Sequence, residues 1–527
     1  MNDVKKAVMT NWRWVMCAML FFATTVNYMD RQVLSLTFKE FIQPEFHWTD
    51  SDYGTITGLF SIAYAIFCLF AGKFIDWMGT KKGYLIAICV WSLGAVLHAG
   101  CGIATTWFVD GIDSVAAMRA VEAGSAVAAS VAMVSVYLFL ACRLILGLGE
   151  AGNFPAAIKV TAEYFPKKDR AFATALFNAG ASVGALAAPA TIPLLAKAWG
   201  WEWAFIIIGA LGFIWAGIWI FVYDKPTESK HVNEAELAYI NQDEANEVSD
   251  SKNANSEKTI SMLPHSWAYF LVALLFACVA GYVSNIYLIV IFAILALVSL
   301  NLPFLNYYKY RQTRSFAFGK FMTDGVWWFF LFWTPAYFQD QFGIKASDPQ
   351  GIALIFTLYA IVTVVSLFGG YLPKIFVEKK GMEPYAGRMR AMLIFAFFPI
   401  VALFAQPLGG VWGPWAVAII IGIVGAAHQS WSANIFSTTG DMFPKSAVAA
   451  ITGIGAMAGG IGSFLINKGS GMLFTHAEKM GEAFQFMGFS GKPAGYMIIF
   501  CICAVAYLIG WSVMKTLVPK YEPVVVK

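Results

Sequence analysis

Charge is what this chain has least of. Only 13% of its 527 residues are Asp, Glu, Lys or Arg, against about a quarter in an ordinary soluble domain. Hydrophobic residues make up 59%, and the mean hydropathy is +0.64. A soluble globular body is excluded. The formal net charge of +4 supplies no strong field for nucleic acid. Disulfide and metal spacings are missing too. Cys17, Cys68, Cys89, Cys142, Cys278, Cys501 and Cys503, seven of the eight cysteines, lie in apolar runs and read as small hydrophobes. No nucleophile–base pair or metal cluster stands out, so neither an enzyme nor a bound cofactor is expected.

What is present are apolar runs of about 20 residues, enough to cross the ~30 Å hydrocarbon core. They predict helices near 14–37, 53–73, 83–104, 130–160, 171–193 and 203–222, then 315–338, 350–372, 389–407, 413–436, 447–468 and 494–516. The first run, Trp14 to Leu36, is too long and too polar at its end for a cleaved signal peptide, so it reads as an uncleaved first helix. A polar stretch from Asp224 divides the two sixes. The apolar block Trp267–Leu300 follows; as one helix it would be about 50 Å long. Gly281 and Ser284–Asn285 offer it a turn, so two short helices are expected.

The expected architecture is an all-α polytopic membrane protein: a six-helix half at 1–223, a linker at 224–262, an extra transmembrane hairpin at 263–302 and a second six-helix half at 303–527. Lys and Arg concentrate on one side of this topology, as in Lys81, Lys82, Arg311, Arg314, Lys379, Lys380, Arg388 and Arg390. Lys39, Arg119, Lys197, Lys345, Lys479 and Lys492 are the few on the other. By the positive-inside rule both termini are cytoplasmic. The outer loop at 105–130 is unusually long, and a short amphipathic helix is expected in it.

The chain echoes itself. "EYFPKKDRAFATALFNAGASVGA" from Glu163 aligns with "DMFPKSAVAAITGIGAMAGGIGS" from Asp441, matching Phe165 with Phe443, Pro166 with Pro444 and Gly184 with Gly462 at a constant offset of 278. Duplicated halves with a site between them at mid-bilayer are how many secondary transporters are built.

The loop "GKFIDWMGTKK" places Gly72, Asp76, Gly79, Lys81 and Lys82 in a G-x-x-x-D-x-x-G-x-K pattern. Gly72 is expected to allow close helix packing and Gly79 a tight turn, with Asp76 and the lysines latching neighbouring helices. The plain alternative is an ordinary charged loop. Here the chain resembles the major facilitator superfamily, whose signature between helices two and three has this form. "NYMDRQVLSL", "RLILGLGEAGNFPAAIKVTAEYFPKKDRA" and "GKFMTDGVWWFFLFWTPAYF" sharpen the likeness to its anion:cation symporters, most of all the bacterial hexuronate transporters. The resemblance implies two six-helix halves rocking about a central site. It also implies proton symport of a sugar acid such as glucuronate or galacturonate, across the inner membrane and as a monomer.

Asp30 and Arg31 stand side by side in helix one, where each charge costs roughly 2.5–3.5 kcal/mol. Arg143 and Glu150, seven apart, share one face of helix four about 10 Å apart. An arginine fork suits a carboxylate, and a carboxyl balanced between burial and an arginine suits proton exchange. Arg31 is therefore the expected substrate anchor. Asp30 and Glu150 are the proton carriers, tuned by Arg143, and the resemblance implies the same roles for Arg31, Asp30 and Glu150. A purely structural cluster is the alternative. Hydroxyl recognition is expected from Tyr28, Tyr64, Asn27, Asn178, Trp327, Trp328, Gln429 and Asn434. Asp324 is read as capping the start of helix seven, His428 as structural, and Gly459 and Gly462 as packing sites. Sodium in place of the proton, and export or exchange of another organic anion, are the remaining alternatives.

Overall fold

The computed structural model describes residues 9–243, 307–443 and 445–524. The predicted hairpin at 263–302 and the linker beyond 243 lie outside the described residues. Among the described residues, twelve long helices run in two sixes. The first six are α1 (Trp12–Thr37), α2 (Asp50–Met78), α3 (Thr80–Phe108), α4 (Ala126–Tyr164), α5 (Lys167–Trp199) and α6 (Trp201–Val222). The second are α7 (Arg311–Phe342), α8 (Pro349–Lys380), α9 (Pro384–Trp412), α10 (Pro414–Met442), α11 (Lys445–Met480) and α12 (Lys492–Leu517). Eight are long and apolar enough to cross a membrane, and α2, bent by 45° near its middle, makes a ninth. This is a multi-pass membrane protein. Helices α1, α7 and α11 fall outside that set, and the first two carry Asp30, Arg31, Lys320 and Asp324.

Helix ends follow local chemistry. Thr49 and Asp52 cap α2 reciprocally. Gly79, at φ +78°, turns α2 into α3 with no intervening loop. Pro189 and Pro193 sit inside α5 and Pro335 inside α7, as membrane helices tolerate when neighbours satisfy the freed carbonyls. The predicted fourth helix is broken: Ala126–Glu150 and Asn153–Tyr164 meet at Ala151 and Gly152. The short helix expected in the long loop is Val115–Arg119.

The sequence repeat coincides with structure. Helices α5 and α11 start at Lys167 and Lys445, the same offset as the repeat. Gly184 lies against the α1 backbone at Thr25, and Gly462 against the α7 backbone at Phe321. In each half the fifth helix packs on the first through the same glycine. Between the halves, α2 lies along α11 and α5 along α8. The ends of α2, α4, α6, α8 and α10 and the starts of α1 and α7 form one face, here the basic face. The Lys39, Asp50, Asp340 and Lys492 end forms the opposite face.

Candidate functional site

Arg31 reaches from α1 to α4. Its Nη2 and Nε lie 2.8 and 3.2 Å from one oxygen of Glu150, Oε2. Glu150 is 1% and Arg31 5% exposed. Around the guanidinium stand three rings: Tyr64 at 4.6 Å, Trp328 at 5.1 Å and Tyr28 at 5.3 Å from ring centroid to Cζ. Tyr28 and Tyr64 come from α1 and α2, but Trp328 comes from α7, so the second half covers the first half's cation. Each such contact contributes about 0.5–2 kcal/mol, more as water is excluded. The fork grips only one carboxylate oxygen; Oε1 of Glu150 has no hydrogen-bond partner among the described residues.

Asp30 and Arg143 form the second layer. Both are buried and within electrostatic reach of each other and of Glu150. Neither Asp30 oxygen nor Arg143 Nη1 has a hydrogen-bond partner among the described residues. Arg143 lies over Phe60 at 5.4 Å, and Phe60 also stacks on Tyr64 and meets Trp328. Sequence reading missed Phe60, although it stands one helical turn from Tyr64. Asn27 is 1% exposed with both amide atoms unpartnered among the described residues, one turn before Arg31. Buried polar groups left unmatched by the chain are costly, and they gather here.

The turn from α2 into α3 keeps its charges within the first half. Asp76 is 2.7 Å from Lys159 of α4, and Lys81 is 2.8 Å from Asp224 just past α6; Lys82 is exposed. One expectation is not met in this conformation: a Cβ on Gly72 would meet nothing within 4 Å among the described residues, so Gly72 does not pack closely here.

The Major Facilitator Superfamily profile matches residues 20–466. The chain belongs to that superfamily. Among curated members it is 24% identical over 509 residues to the hexuronate transporter of Escherichia coli (strain K12), covering 95% of this chain and 94% of that one. It is 23% identical to the galacturonate transporter of Dickeya chrysanthemi, covering 75% and 92%. The probable galactarate/D-glucarate transporter of Escherichia coli (strain K12) is 23% identical, covering 95% and 96%. Among solved structures, a bacterial homolog of the human lysosomal transporter Spinster, inward-facing and occupied, aligns with a TM-score of 0.61 at 16% identity over 96% and 97% of the chains. The D-xylose-proton symporter aligns at 0.57 and 15% identity over 97% and 98%. These two likenesses concern the fold. As a member of this transporter superfamily, the protein is not an enzyme.

Within the superfamily fold, the other predicted residues divide. Gln429 is half-buried and Asn178 exposed, and neither makes a described contact with the Arg31 cage. Asn434 donates from Nδ2 to the carbonyls of Ser430 (2.8 Å) and Gly369 (3.4 Å), tying α10 to α8. Trp327 stacks on His428 at 5.3 Å, and the His428 ring is 2.7 Å from the Tyr507 hydroxyl. Asp324 caps nothing. It lies well inside α7, with an oxygen 2.8 Å from Lys320 Nζ, because α7 begins at Arg311, four residues before the predicted start.

Sequence reading also missed the opposite face. Lys39 Nζ is 3.0 Å from both Asp50 and Asp340. Lys492 Nζ is 2.8 Å from Asp50, 3.6 Å from Asp340 and 3.2 Å from Glu478. Lys39 and Asp50 belong to the first half, Asp340, Glu478 and Lys492 to the second. Polar contacts continue inward through Ser51–Thr475, Tyr53–Phe332 and Lys468–Thr55 to Ser61–Ser463. This face is closed. The few cations that break the charge asymmetry here are largely neutralised locally.

Proposed function

We propose that this chain imports a sugar acid, a hexuronate such as glucuronate or galacturonate, by proton symport with alternating access. The basic face is then cytoplasmic, with both termini, in the cell's inner membrane. The observation that carries the reading is Arg31: a buried guanidinium, caged by rings from both halves, whose only ion-pair partner among the described residues is a single oxygen of Glu150. A carboxylate entering the cage competes with Glu150 for the fork. Tyr28, Tyr64 and Trp328 offer faces for the sugar's C–H surface, and the unmatched amide of Asn27 offers both a donor and an acceptor for hydroxyls.

Release from Arg31 leaves Glu150 buried and charged, which favours taking a proton. Asp30 beside Arg143 is the second carrier. Anion and proton thus bind with mutual reinforcement, the coupling that symport requires. Each proton beyond the number needed for neutrality adds about 2.3 kcal/mol per 100 mV of membrane potential. The hexuronate and galacturonate relatives support the substrate class, and the caged arginine supports an anion in particular.

The test is uptake of radiolabelled glucuronate into proteoliposomes under an imposed pH gradient without sodium, with Arg31→Ala and Glu150→Gln in parallel. Gradient-driven accumulation by wild type, lost in both variants, is expected. Uptake that needs sodium would replace the proton, and no uptake of any hexuronate would discard the substrate. Transport surviving Arg31→Ala would move the anion site elsewhere.

A further inference from the structure

Helix α7 stands in the second half where α1 stands in the first, and it too carries charge at depth. Asp324 lies about 20 Å of helix rise from Arg311, where α7 begins on the basic face. Its Oδ2 is 2.8 Å from Lys320 Nζ, one turn earlier, and both side chains are largely buried. The ammonium also sits 4.5 Å from the Phe436 ring of α10. A lysine and an aspartate within the bundle are expensive to keep there, and neither is part of the Arg31 cage.

Two consecutive glycines of α11 tie this carboxylate to the seam between the halves. A Cβ on Gly459 would fall 2.2 Å from Asp324 Oδ2, so glycine leaves the carboxylate its room. A Cβ on Gly460 would fall 2.5 Å from the Cβ of Ala65 and 2.9 Å from the Ser61 carbonyl of α2, in the other half. Beside that contact Ser463 donates to Ser61 at 2.9 Å, the last of the polar contacts that run inward from the closed face. On its other side α7 is pinned. The Thr323 carbonyl accepts from the Tyr507 hydroxyl of α12 at 3.3 Å, and that hydroxyl is 2.7 Å from His428 of α10. A change at the carboxylate is therefore taken up against α11, on the backbone that also meets α2.

We infer that Asp324 is a proton-exchanging carboxyl of the second half, linked by Gly459 and Gly460 to the opening and closing of the halves. This rests on the proton-symport reading. Charged, the carboxylate is held by Lys320 over Gly459. A proton on it cancels the attraction that makes the pair and frees the side chain to leave its place on Gly459. The proton arrives from water on one side of the membrane and leaves to water on the other; no other bond changes. Opening of the opposite face withdraws α2 from Gly460 and loosens the same stretch of α11. Proton and closed seam thus bear on one piece of backbone, which gives the two conformers different proton affinities. Among the described residues, the titratable groups around Asp324 are Lys320 on its own helix and Tyr507 of α12, with His428 of α10 within reach of Lys320. Helix α11 meets it with glycine.

The experiment follows radiolabelled glucuronate in proteoliposomes in two ways. One is accumulation under an imposed gradient of one pH unit without sodium; the other is counterflow at equal pH, which exchanges substrate without net proton movement. Asp324→Asn alone strands the Lys320 ammonium and risks misfolding, so the decisive variant joins it to Lys320→Gln. That double variant should keep counterflow while its accumulation ratio falls about tenfold, the contribution of one coupled proton per pH unit. Gly459→Ala keeps both charges and only crowds the carboxylate. It should show the same split, and Lys320→Arg should show none. Difference infrared spectra between high and low pH should carry a carboxyl band that the double variant lacks. Unchanged accumulation in the double variant or in Gly459→Ala overturns the inference, and so does an identical infrared band. Loss of counterflow together with accumulation also overturns it, by marking a purely structural pair. Wild type that counterflows without accumulating overturns the proton reading and this inference together, and leaves Arg31 as the anion site. With neither activity in wild type the glucuronate reading falls, and the infrared band alone decides whether Asp324 takes the proton.

Discussion

The charge lattice on the opposite face should set the balance between conformations, and Lys492→Gln is its sharpest probe. Two of the ion pairs cross between the halves: Lys39–Asp340 at 3.0 Å and Lys492–Asp50 at 2.8 Å. Lys39–Asp50 and Lys492–Glu478 stay within a half and survive when this face opens. At an effective dielectric constant of about 20, a pair at 2.8 Å attracts by roughly 6 kcal/mol before desolvation. Removing one partner of a buried pair costs about 3–5 kcal/mol when the other is stranded. Asp50 is not stranded, because Lys39 remains at 3.0 Å, so a smaller net loss of about 1–3 kcal/mol is expected. The loss falls on the closed conformer alone, since the cross pair is absent when the face opens. The equilibrium should move toward the open face by roughly 5- to 150-fold.

Nitroxide labels at Glu122 and Gln485, exposed positions on this face in the two halves, would read the shift as a longer distance population by electron–electron resonance in a cysteine-free background. Lys492→Arg should keep the short population. An unchanged distribution in a folded Lys492→Gln sample would refute the lattice as a determinant of closure.

Three further outcomes are expected. Arg31→Lys keeps the charge but loses the planar fork, so glucuronate uptake should fall by about tenfold or more, measured as kcat/KM in proteoliposomes. Trp328→Ala removes a ring 5.1 Å from Arg31 and should raise KM roughly five- to thirtyfold, with Trp328→Phe milder; an unchanged KM for both would exclude the cage from binding. Glu236, in the short helix Glu234–Ile240, accepts from Thr10 and from the Trp12 and Arg13 backbone, and pairs with Arg13 at 3.0 Å. Glu236→Ala strands Arg13 at the start of α1 and should destabilise by about 3 kcal/mol, seen as a lower thermal midpoint in detergent.

That same group gives a pH dependence. Burial pushes the Glu236 carboxyl up, but Thr10, the two backbone N–H groups and the Arg13 charge hold it below its ordinary 4.5. A carboxyl lowered by folding contributes fully above its unfolded value and loses the contribution as pH falls through the folded one. The midpoint of wild type should therefore drop below about pH 4.5 more steeply than that of Glu236→Ala.

Much of the fold was legible because lipid imposes one rule, that long apolar segments become helices. The 278-residue repeat offset could be read because glycines that must admit a backbone leave a spacing: Gly184 and Gly462 do the same work on α1 and α7. Asp30, Arg31, Arg143 and Glu150 could be singled out in advance because charges stand out in helices dense in apolar residues, but that Arg31 pairs with Glu150 is seen only in the structure. The opposite-face lattice could not, since Lys39, Asp50, Asp340 and Lys492 sit at helix ends scattered through the chain and meet only when the halves dock. The Lys320–Asp324 pair was hidden differently. Near the start of a helix, a charged i,i+4 pair looks like ordinary basic-face decoration until the helix is seen to begin earlier.

These intramembrane charges have a consequence for stoichiometry under the proposed reading. Arg31, Arg143 and Lys320 face Asp30, Glu150 and Asp324, so the set is neutral before substrate arrives. In a medium where an uncompensated charge costs several kcal/mol, an entering monoanion leaves one negative charge in excess, and a single proton on Glu150 restores balance. A dianion leaves two, and needs a second proton, on Asp324 or Asp30. The number of protons carried should therefore follow the number of substrate carboxylates, at least one for a hexuronate such as glucuronate and at least two for a sugar diacid such as galactarate. Reversal potentials measured for the two substrates in one preparation decide it: equal proton counts for both would break the link between core neutrality and coupling.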